Sequence, residues 1–101
     1  MRPKSKVYLL PTVEAGGVLE LAPSDIGLGN DEPPYNRLLI ANRSRAAIVV
    51  LVNDDSDREL LVESGSIRFE DSFTFRRLKI INLESDTTIE SGKLRLEVAR
   101  K

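Results

Sequence analysis

A chain of 101 residues is long enough for one domain and too short for two. Its 15 basic and 16 acidic residues leave a formal net charge of −1, which argues against a general polycationic binder of nucleic acid or membranes. With 41% hydrophobic and 31% charged residues, the composition predicts a folded, soluble protein.

The residue types that the chain lacks exclude several kinds of chemistry. There is no histidine and no cysteine, which removes imidazole bases, Ser-His-Asp triads, disulfides and the usual zinc ligand sets. Glu63, Glu70 and Asp71 fall near one predicted turn, but nothing distinguishes them from surface charge. We therefore expect no enzymatic activity, no cofactor and no bound metal.

Neither the first residues of the chain nor its apolar runs predict targeting. The basic start is followed by an apolar run that stops at Pro11, without the cleavage site of a signal peptide. The longest apolar run, residues 46–52, is far shorter than the roughly 20 residues that span a membrane. The lack of glutamine and the many arginines are typical of heat-adapted proteins and favour a thermophilic source.

Alternation of apolar and polar residues predicts β-strands through most of the chain. In residues 93–98 the apolar side chains share one face, and in residues 66–70 Ile67 and Phe69 are predicted to point inward. Residues 46–52 are apolar on both faces, which indicates either a central strand covered on two sides or a subunit contact. The other predicted strands are residues 6–10, 17–22, 37–41, 58–63, 72–75 and 77–82.

Clusters of turn-forming residues separate these short strands. Such spacing is typical of antiparallel sandwiches, jelly rolls and small barrels. We predict an all-β fold, an antiparallel β-sandwich or jelly roll of about eight strands without a substantial helix. One domain covers residues 1–101, with a long acidic loop at 23–36.

Two internal echoes accompany this pattern. Residues 63–70 (ESGSIRFE) resemble residues 90–97 (ESGKLRLE), and residues 38–42 (LLIAN) resemble residues 78–82 (LKIIN). The two spacings differ, so the echoes do not define a solenoid. Hairpins built from similar strand and turn residues explain these similarities better than duplication of a segment does.

Two segments superficially resemble ligand-binding motifs. Residues 53–59 carry acids at alternate positions, but Arg58 stands where a calcium loop needs glycine and Ser64 where it needs glutamate. The Gly27-Leu28-Gly29 segment lacks the remainder of a dinucleotide or phosphate-binding fingerprint. Neither segment supports a metal or nucleotide site.

The long acidic loop is the first candidate for a binding surface, because loops of this length are often functional. Its apolar side chains either dock on a neighbouring subunit or cap the core of their own chain, and the sequence leaves both open. We predict docking, with opposite charges fixing the register. The residues assigned to this partner contact are Asp25, Ile26, Leu28, Asp31, Glu32, Tyr35, Arg43 and Arg45.

A second candidate surface interleaves cations and aromatic residues, as platforms for single-stranded nucleic acid do. The alternation pattern weakens this hypothesis, because the phenylalanines fall at positions predicted to face inward. It remains the alternative function, a β-sandwich module that binds single-stranded nucleic acid or another ligand. Its residues would be Arg68, Phe73, Phe75, Arg76, Arg77 and Lys79.

Charge is distributed in blocks along the chain. Residues 7–36 carry five acids and no base, whereas residues 37–52 carry three arginines and no acid. Blocks of opposite sign favour contacts between copies, in which the acidic loop of one meets basic strands of another.

Residues 37–100 resemble small structural proteins from the virions of tailed phages. The shared features are an Asn-ended strand, a Ser-rich turn, an apolar strand, an acidic hairpin, a Ser-Gly turn before another strand, and a closing strand. In that group Pro-Gly-Glu often precedes the Ser-Gly turn, whereas here the sequence is Glu63-Ser64-Gly65. The resemblance implies a β-sandwich that binds capsid, neck or tail proteins as an oligomer and performs no chemistry.

Together these observations predict a non-enzymatic virion accessory protein, a capsid decoration or head–tail component. We expect capsid, neck or tail proteins as partners together with self-association, and neither membrane nor nucleic acid. Its location would be the virion or otherwise the cytoplasm.

Overall fold

Eight β-strands make up the fold, as the sequence predicts. The computed structural model describes residues 3–53 and 55–101, with the backbone alone for residues 55–57. One 3₁₀ turn, Pro23–Ile26, is the only helical element in these residues. The strands are β1 (Lys4–Leu9), β2 (Val18–Leu21), β3 (Arg37–Asn42), β4 (Ile48–Val52), β5 (Asp55–Val62), β6 (Ile67–Glu70), β7 (Leu78–Asn82) and β8 (Leu94–Arg100).

The strands form two four-stranded antiparallel sheets. Sheet I has the order β1-β8-β3-β6, and sheet II has the order β2-β7-β4-β5. In sequence order, strand one pairs with strand eight, two with seven, three with six and four with five. This nested pairing is the topology of a jelly roll, one of the two architectures predicted.

The core lies between the sheets and is formed by alternate residues of each strand. The inward side chains of β4 and β7 and the inward apolar side chains of β8 are at most 2% exposed, and Arg100 at the end of β8 is 4% exposed. Residues 93–98 therefore have the predicted inward face, with the charged residues between them pointing out. The inward side chains of these three strands that are at most 2% exposed are Ile48, Val50, Val52, Leu78, Ile80, Asn82, Leu94, Leu96 and Val98.

Two details of the predicted strands are wrong. Residues 72–75 form no strand, because only Phe75 pairs, through an isolated bridge to Tyr35. On β6, Ile67 and Phe69 point outward, since they lie opposite the outward residues of β3.

The side chains that β6 turns inward are charged. The guanidinium of Arg68 lies 2.9 Å from the carboxylate of Glu70. Because β6 is an edge strand of sheet I, this inward ion pair hinders the addition of a foreign strand to that edge.

Asn42, at the end of β3, is a buried polar residue with every hydrogen-bonding group satisfied. Its amide nitrogen donates to the carbonyl oxygens of Ala46 (2.7 Å) and Val62 (3.2 Å). Its side-chain oxygen accepts hydrogen bonds from the backbone N–H and the hydroxyl of Ser44. The side chain thus ties the β3–β4 turn to β5.

Asn82, at the end of β7, plays the same part in sheet II. Its amide nitrogen donates to the carbonyl oxygens of Glu14 and Thr87, and its oxygen accepts the N–H of Glu84. The echo between residues 38–42 and 78–82 therefore reflects two strands that end in the same local hydrogen-bonding motif.

The second echo has a turn as its basis. Gly65 and Gly92 have φ angles of +79° and +87°, values that glycine adopts without strain. Each lies in a tight turn that leads into a strand of sheet I, β6 or β8.

The loops gather at the two ends of the sandwich. Loop 23–36 and loop 71–77 meet at one end through the Tyr35–Phe75 bridge, near the start of β1 and the end of β8. The turns at 43–47 and 83–93 lie at the opposite end, where Arg43 donates a backbone hydrogen bond to Lys93. The molecule extends 43 Å along its longest axis.

Candidate functional site

The acidic loop packs its apolar side chains onto the core of its own chain. Ile26 and Tyr35 are fully buried, and Leu28 is 4% exposed. The Tyr35 hydroxyl donates a 2.6 Å hydrogen bond to the carbonyl oxygen of Ile26, and burial raises the pKa of this tyrosine to about 12. The prediction that these three side chains dock on a neighbour is therefore wrong, because their apolar surface is already covered.

Local backbone geometry directs the loop inward. The turn Pro23–Ile26 ends at Gly27, whose φ is +82°. A Cβ at this position would lie 2.7 Å from the Tyr8 hydroxyl, so the loop passes close to β1. Farther along, two backbone hydrogen bonds of 2.9 and 3.0 Å join Tyr35 to Phe75.

Glu32 connects the same loop to the start of β1 and to the end of β8. Its carboxylate lies 2.7 Å from the Lys4 ammonium and 3.4 Å from the Arg100 guanidinium, and it accepts the backbone N–H of Gly29. The hydrogen bonds from Lys4 and Gly29 are the main cause that lowers its pKa from 4.5 to about 2. Glu32 therefore serves the fold of its own chain.

Replacing Glu32 with glutamine should make the free energy of unfolding less dependent on pH in the acidic range. The carboxyl titrates near 4.5 when unfolded and near 2 when folded, so its charge stabilises the fold above pH 4.5. That contribution is lost as the pH falls towards 2. Urea unfolding of wild type and Glu32→Gln should show a difference that is constant well above pH 4.5 and shrinks towards pH 2.

Asp31→Asn is the matched control for this measurement. Asp31 is exposed in the same loop and forms no ion pair with the described residues. A difference for Glu32→Gln that persists unchanged at pH 2 would contradict the assigned ion pairs.

The remaining charged residues predicted to bind a partner lie at the two ends of the sandwich. Asp25 and Asp31 are exposed in the acidic loop, whereas Arg43 and Arg45 are exposed in the β3–β4 turn at the opposite end. The two arginines line a shallow depression together with Lys93. Contact between these acids and these arginines would therefore have to join different copies, and it stays a prediction.

The aromatic residues of the alternative nucleic-acid surface are engaged within the protein. Phe75 is 1% exposed, and its ring centre lies 5.8 Å from that of Tyr35. Phe73 is partly buried against the core, and the Arg58 guanidinium covers its ring at 5.5 Å. The Phe75 ring therefore has no free face on which a base could stack, and one face of the Phe73 ring is occupied by Arg58.

The cations of that set are dispersed. Arg68 points inward on sheet I, and Lys79 lies on the outer side of sheet II. Arg76 and Arg77 lie in loop 71–77, between β6 and β7. Arg76 contacts an oxygen of Gly29, Arg68 one of Glu70 and Lys79 one of Glu20, and Arg77 is engaged within the chain as well. The structure does not bring the predicted nucleic-acid residues together on one surface.

Sheet I carries an exposed apolar surface that the sequence analysis did not assign. We call the outward side of this sheet face I. Its most exposed members are Ile67 and Leu9, at 69% and 67%. The centre of face I comprises Val7 and Leu9 of β1, Leu39 and Ala41 of β3, Ile67 and Phe69 of β6, and Arg95 and Glu97 of β8, and Ser5, Ala99 and Arg37 form its margin.

Sheet II carries a second apolar surface, which we call face II. It consists of Val18, Ile81, Val49 and Leu61, which lie opposite one another on the four strands, and of Leu51 beside them. Leu83 continues the outward side of β7 and is half exposed. No other layer of the described chain covers this face. Residues 46–52 are therefore not covered on both sides within the described chain. The inner half of β4 is core, and its outer half borders an open surface.

Consecutive apolar residues were the available signal for both faces. Residues 38–41, 46–52 and 80–81 are apolar at successive positions, so each strand must turn some apolar side chains outward. Only residues 46–52 were interpreted in this way. The phenylalanine of face I was missed because alternation alone does not say which side of an edge strand faces the core.

The described residues hold few other candidates for chemistry. No group of three acidic side chains among them is placed to hold a metal ion. The side-chain oxygen of Asn53, the first position of the rejected calcium loop, already accepts the backbone N–H of Arg76. Residue 54 and the side chains of 55–57 in that segment lie outside the described residues.

No helix in the described part of the chain has the length and apolar character needed to cross a membrane. Comparisons with protein-family models, with curated proteins and with solved structures found no match to this chain.

Proposed function

We propose that this protein is a non-enzymatic structural component that acts by packing against other protein subunits, as an accessory protein of a virion. One observation carries the proposal. All seven of the large apolar side chains exposed in the described residues lie on face I, on face II or on the outward continuation of β7. They are Val7, Leu9, Ile67, Phe69, Val18, Leu61 and Leu83.

The grouping of these side chains matters more than their number. Single exposed apolar residues are normal on any soluble protein, but apolar patches are typical of interfaces, and on face I the apolar side chains flank the charged pair Arg95 and Glu97 of β8. Burying apolar surface contributes about 25 cal/mol per Å² removed from water, so each half-exposed side chain offers a gain on contact. Two such patches on opposite sides of one sandwich suit a subunit placed between neighbours.

The topology supports the same proposal. Double-sheet jelly rolls occur in viral capsid proteins, although also in lectins and cupins, so the fold alone assigns no function. The resemblance of residues 37–100 to small phage virion proteins points to the first of these groups. The acids that could have formed a catalytic pair are also separated, since Glu63 precedes β6 and Glu70 ends it.

Co-sedimentation tests the virion assignment. We expect a tagged copy, produced together with the structural genes that accompany it, to migrate with assembled particles on a density gradient. Lysine in place of Leu61 on face II or of Phe69 on face I should reduce this association, because a buried charge is costly without a partner. Ser85→Lys, in the exposed turn between β7 and β8 and in none of the predicted partner contacts, is the control.

Particles that assemble normally while the protein remains at the top of the gradient would contradict the proposal. Salt-sensitive binding to single-stranded oligonucleotides, lost on Arg76→Ala and Arg77→Ala, would favour the alternative function instead.

A further inference from the structure

We infer that face I is self-complementary and joins two copies of this chain face to face, with their β8 strands antiparallel and Arg95 of each opposite Glu97 of the other. This inference rests on the proposed function and names the partner of one of its two faces.

The strand register arranges face I in two rows that cross the sheet. The first row is Leu9, Arg95, Ala41 and Ile67, and the second is Val7, Glu97, Leu39 and Phe69, each in the order β1, β8, β3 and β6. Every position of one row therefore has a counterpart of the same kind in the other: a charge on β8 and apolar side chains on the remaining strands.

The two charges lie on a central strand and are partly exposed. The Arg95 guanidinium is 3.0 Å from the Glu97 carboxylate, and their side chains are 42% and 37% exposed. The pair is thus available to a second copy while already partly neutralised within its own chain.

A twofold axis parallel to the sheet and perpendicular to the strands exchanges the two rows. Arg95 then faces Glu97 of the second copy, and Glu97 faces the second copy's Arg95. The four charges form an alternating square, in which every neighbour has the opposite sign. Complementary charges of this kind fix the orientation of an interface more than they increase its affinity.

The same rotation places apolar side chains on apolar side chains. Each strand lies over its own copy, so Ile67 faces Phe69 of the second copy and Leu9 faces its Val7. Packed sheets lie about 10 Å apart, a separation that side chains of this size fill.

A twofold axis parallel to the strands gives a poor fit. If the axis follows β8, each charge faces the same charge of the second copy. If it runs between β8 and β3, Arg95 faces Ala41 and Glu97 faces Leu39, so both charges are buried against apolar side chains. The antiparallel orientation pairs Arg95 and Glu97 of each copy, while Arg37, at the margin of the face, lies outside these two rows.

Face II lacks this self-complementarity. Its charged row is Glu20, Lys79, Leu51 and Glu59 across the four strands. An axis parallel to the strands brings Glu20 onto Glu59 of the second copy, and an axis perpendicular to them puts the charged row over apolar residues. Face II is therefore left for a different subunit.

The size of face I suits a modest but specific interface. Four strands at about 4.8 Å spacing and seven residues at about 3.3 Å, a length that includes the marginal positions Ser5, Ala99 and Arg37, give a flat area of roughly 400 Å² per copy. The two copies together bury roughly 900 Å² of flat area, without the additional surface of protruding side chains. This value is close to the ~1,000 Å² expected of a specific contact.

Charge reversal on β8 tests the proposal. Sedimentation velocity over a concentration series should show a monomer–dimer equilibrium for the wild type. Arg95→Glu gives a face with acids at both positions and Glu97→Arg gives one with bases at both, so each variant should dimerise at least ~10-fold more weakly, a change of about 1.4 kcal/mol. An equimolar mixture of the two variants should recover the wild-type affinity, because each acidic face then meets a basic one.

Two controls separate this contact from effects on folding and from face II. Thermal unfolding followed by circular dichroism should show both variants folded, and the recovery on mixing cannot arise from misfolded chains. Leu61→Lys, on face II, should leave the dimer unchanged.

Several results would overturn the inference. They are a monomeric wild type, a dimer that both charge reversals leave intact, and a dimer that dissociates on Leu61→Lys alone. Any of these combined with normal co-sedimentation with particles would refute the self-complementary face while leaving the proposed function standing. If the protein forms the face I dimer but does not co-sediment with particles, the proposed function is refuted and the self-complementary face stands.

Discussion

Replacing Phe75 with alanine should lower the free energy of unfolding by about 3–5 kcal/mol, the usual cost of deleting a buried aromatic ring. Phe75 is 1% exposed and packs between Tyr35 and Phe73, with ring centres 5.8 and 6.4 Å away. Its removal opens a cavity where the acidic loop and loop 71–77 meet. Urea unfolding followed by circular dichroism would measure the loss.

Phe69→Ala is the matched control, because the same ring is removed from the half-exposed surface of face I. We expect a change of about 0.5 kcal/mol or less in the stability of the monomer, together with weaker self-association. If Phe75→Ala instead left stability intact and abolished oligonucleotide binding, Phe75 would be a stacking residue and the nucleic-acid alternative would regain support.

Replacing Asn42 with alanine should lower the free energy of unfolding by about 2–4 kcal/mol. The substitution removes one hydrogen bond each from the carbonyl oxygens of Ala46 and Val62 and the acceptor of the Ser44 N–H, although the Ala46 oxygen keeps its hydrogen bond from the Ser44 hydroxyl. A buried polar group without a hydrogen bond costs about 1–3 kcal/mol. Chemical denaturation gives the loss directly, and Asn82→Ala should behave similarly at the end of β7.

Asn30→Ala controls for the loss of an asparagine side chain as such. Asn30 is exposed in the acidic loop and forms no side-chain hydrogen bond with the described residues. A stability change for Asn42→Ala no larger than that for Asn30→Ala would show that the buried network adds nothing to the fold.

The two-layer architecture was predictable because alternation is a direct consequence of strand geometry. In β8 the inward residues Leu94, Leu96 and Val98 are apolar and buried, and only Arg100 at the end of the strand is a buried charged residue. The same reasoning placed seven other strands with end errors of a few residues. The nested pairing was not predictable, since no feature of a single strand names its neighbour.

The orientation of β6 shows where alternation fails. Residues 67–70 alternate as clearly as β8 does, yet the apolar pair faces outward and the Arg68–Glu70 ion pair faces inward. An edge strand gains protection from an inward charge pair, and face I gains two apolar side chains. Hydrophobicity alone assigns both to the wrong side.

The acidic loop was uncertain for a different reason. A loop has no periodicity, so nothing in the sequence states whether Ile26 and Tyr35 cover their own core or another molecule. The decisive contacts, with Tyr8 and Phe75, come from residues distant in the chain. The candidate faces were likewise hidden, because face I combines four strands from both halves of the sequence.

The central place of β8 in sheet I has a consequence for how the protein folds during synthesis. β8 lies between β1 and β3, so β1 has no partner in its sheet until β8, which is synthesised much later, has emerged from the ribosome. Pairing between segments so distant in sequence is slow, because the entropy of closing long loops is lost before the contacts are gained. Until then β1 and the apolar strands made before β8 are open to non-native pairing, so the nascent protein should depend on chaperones more than its small size suggests.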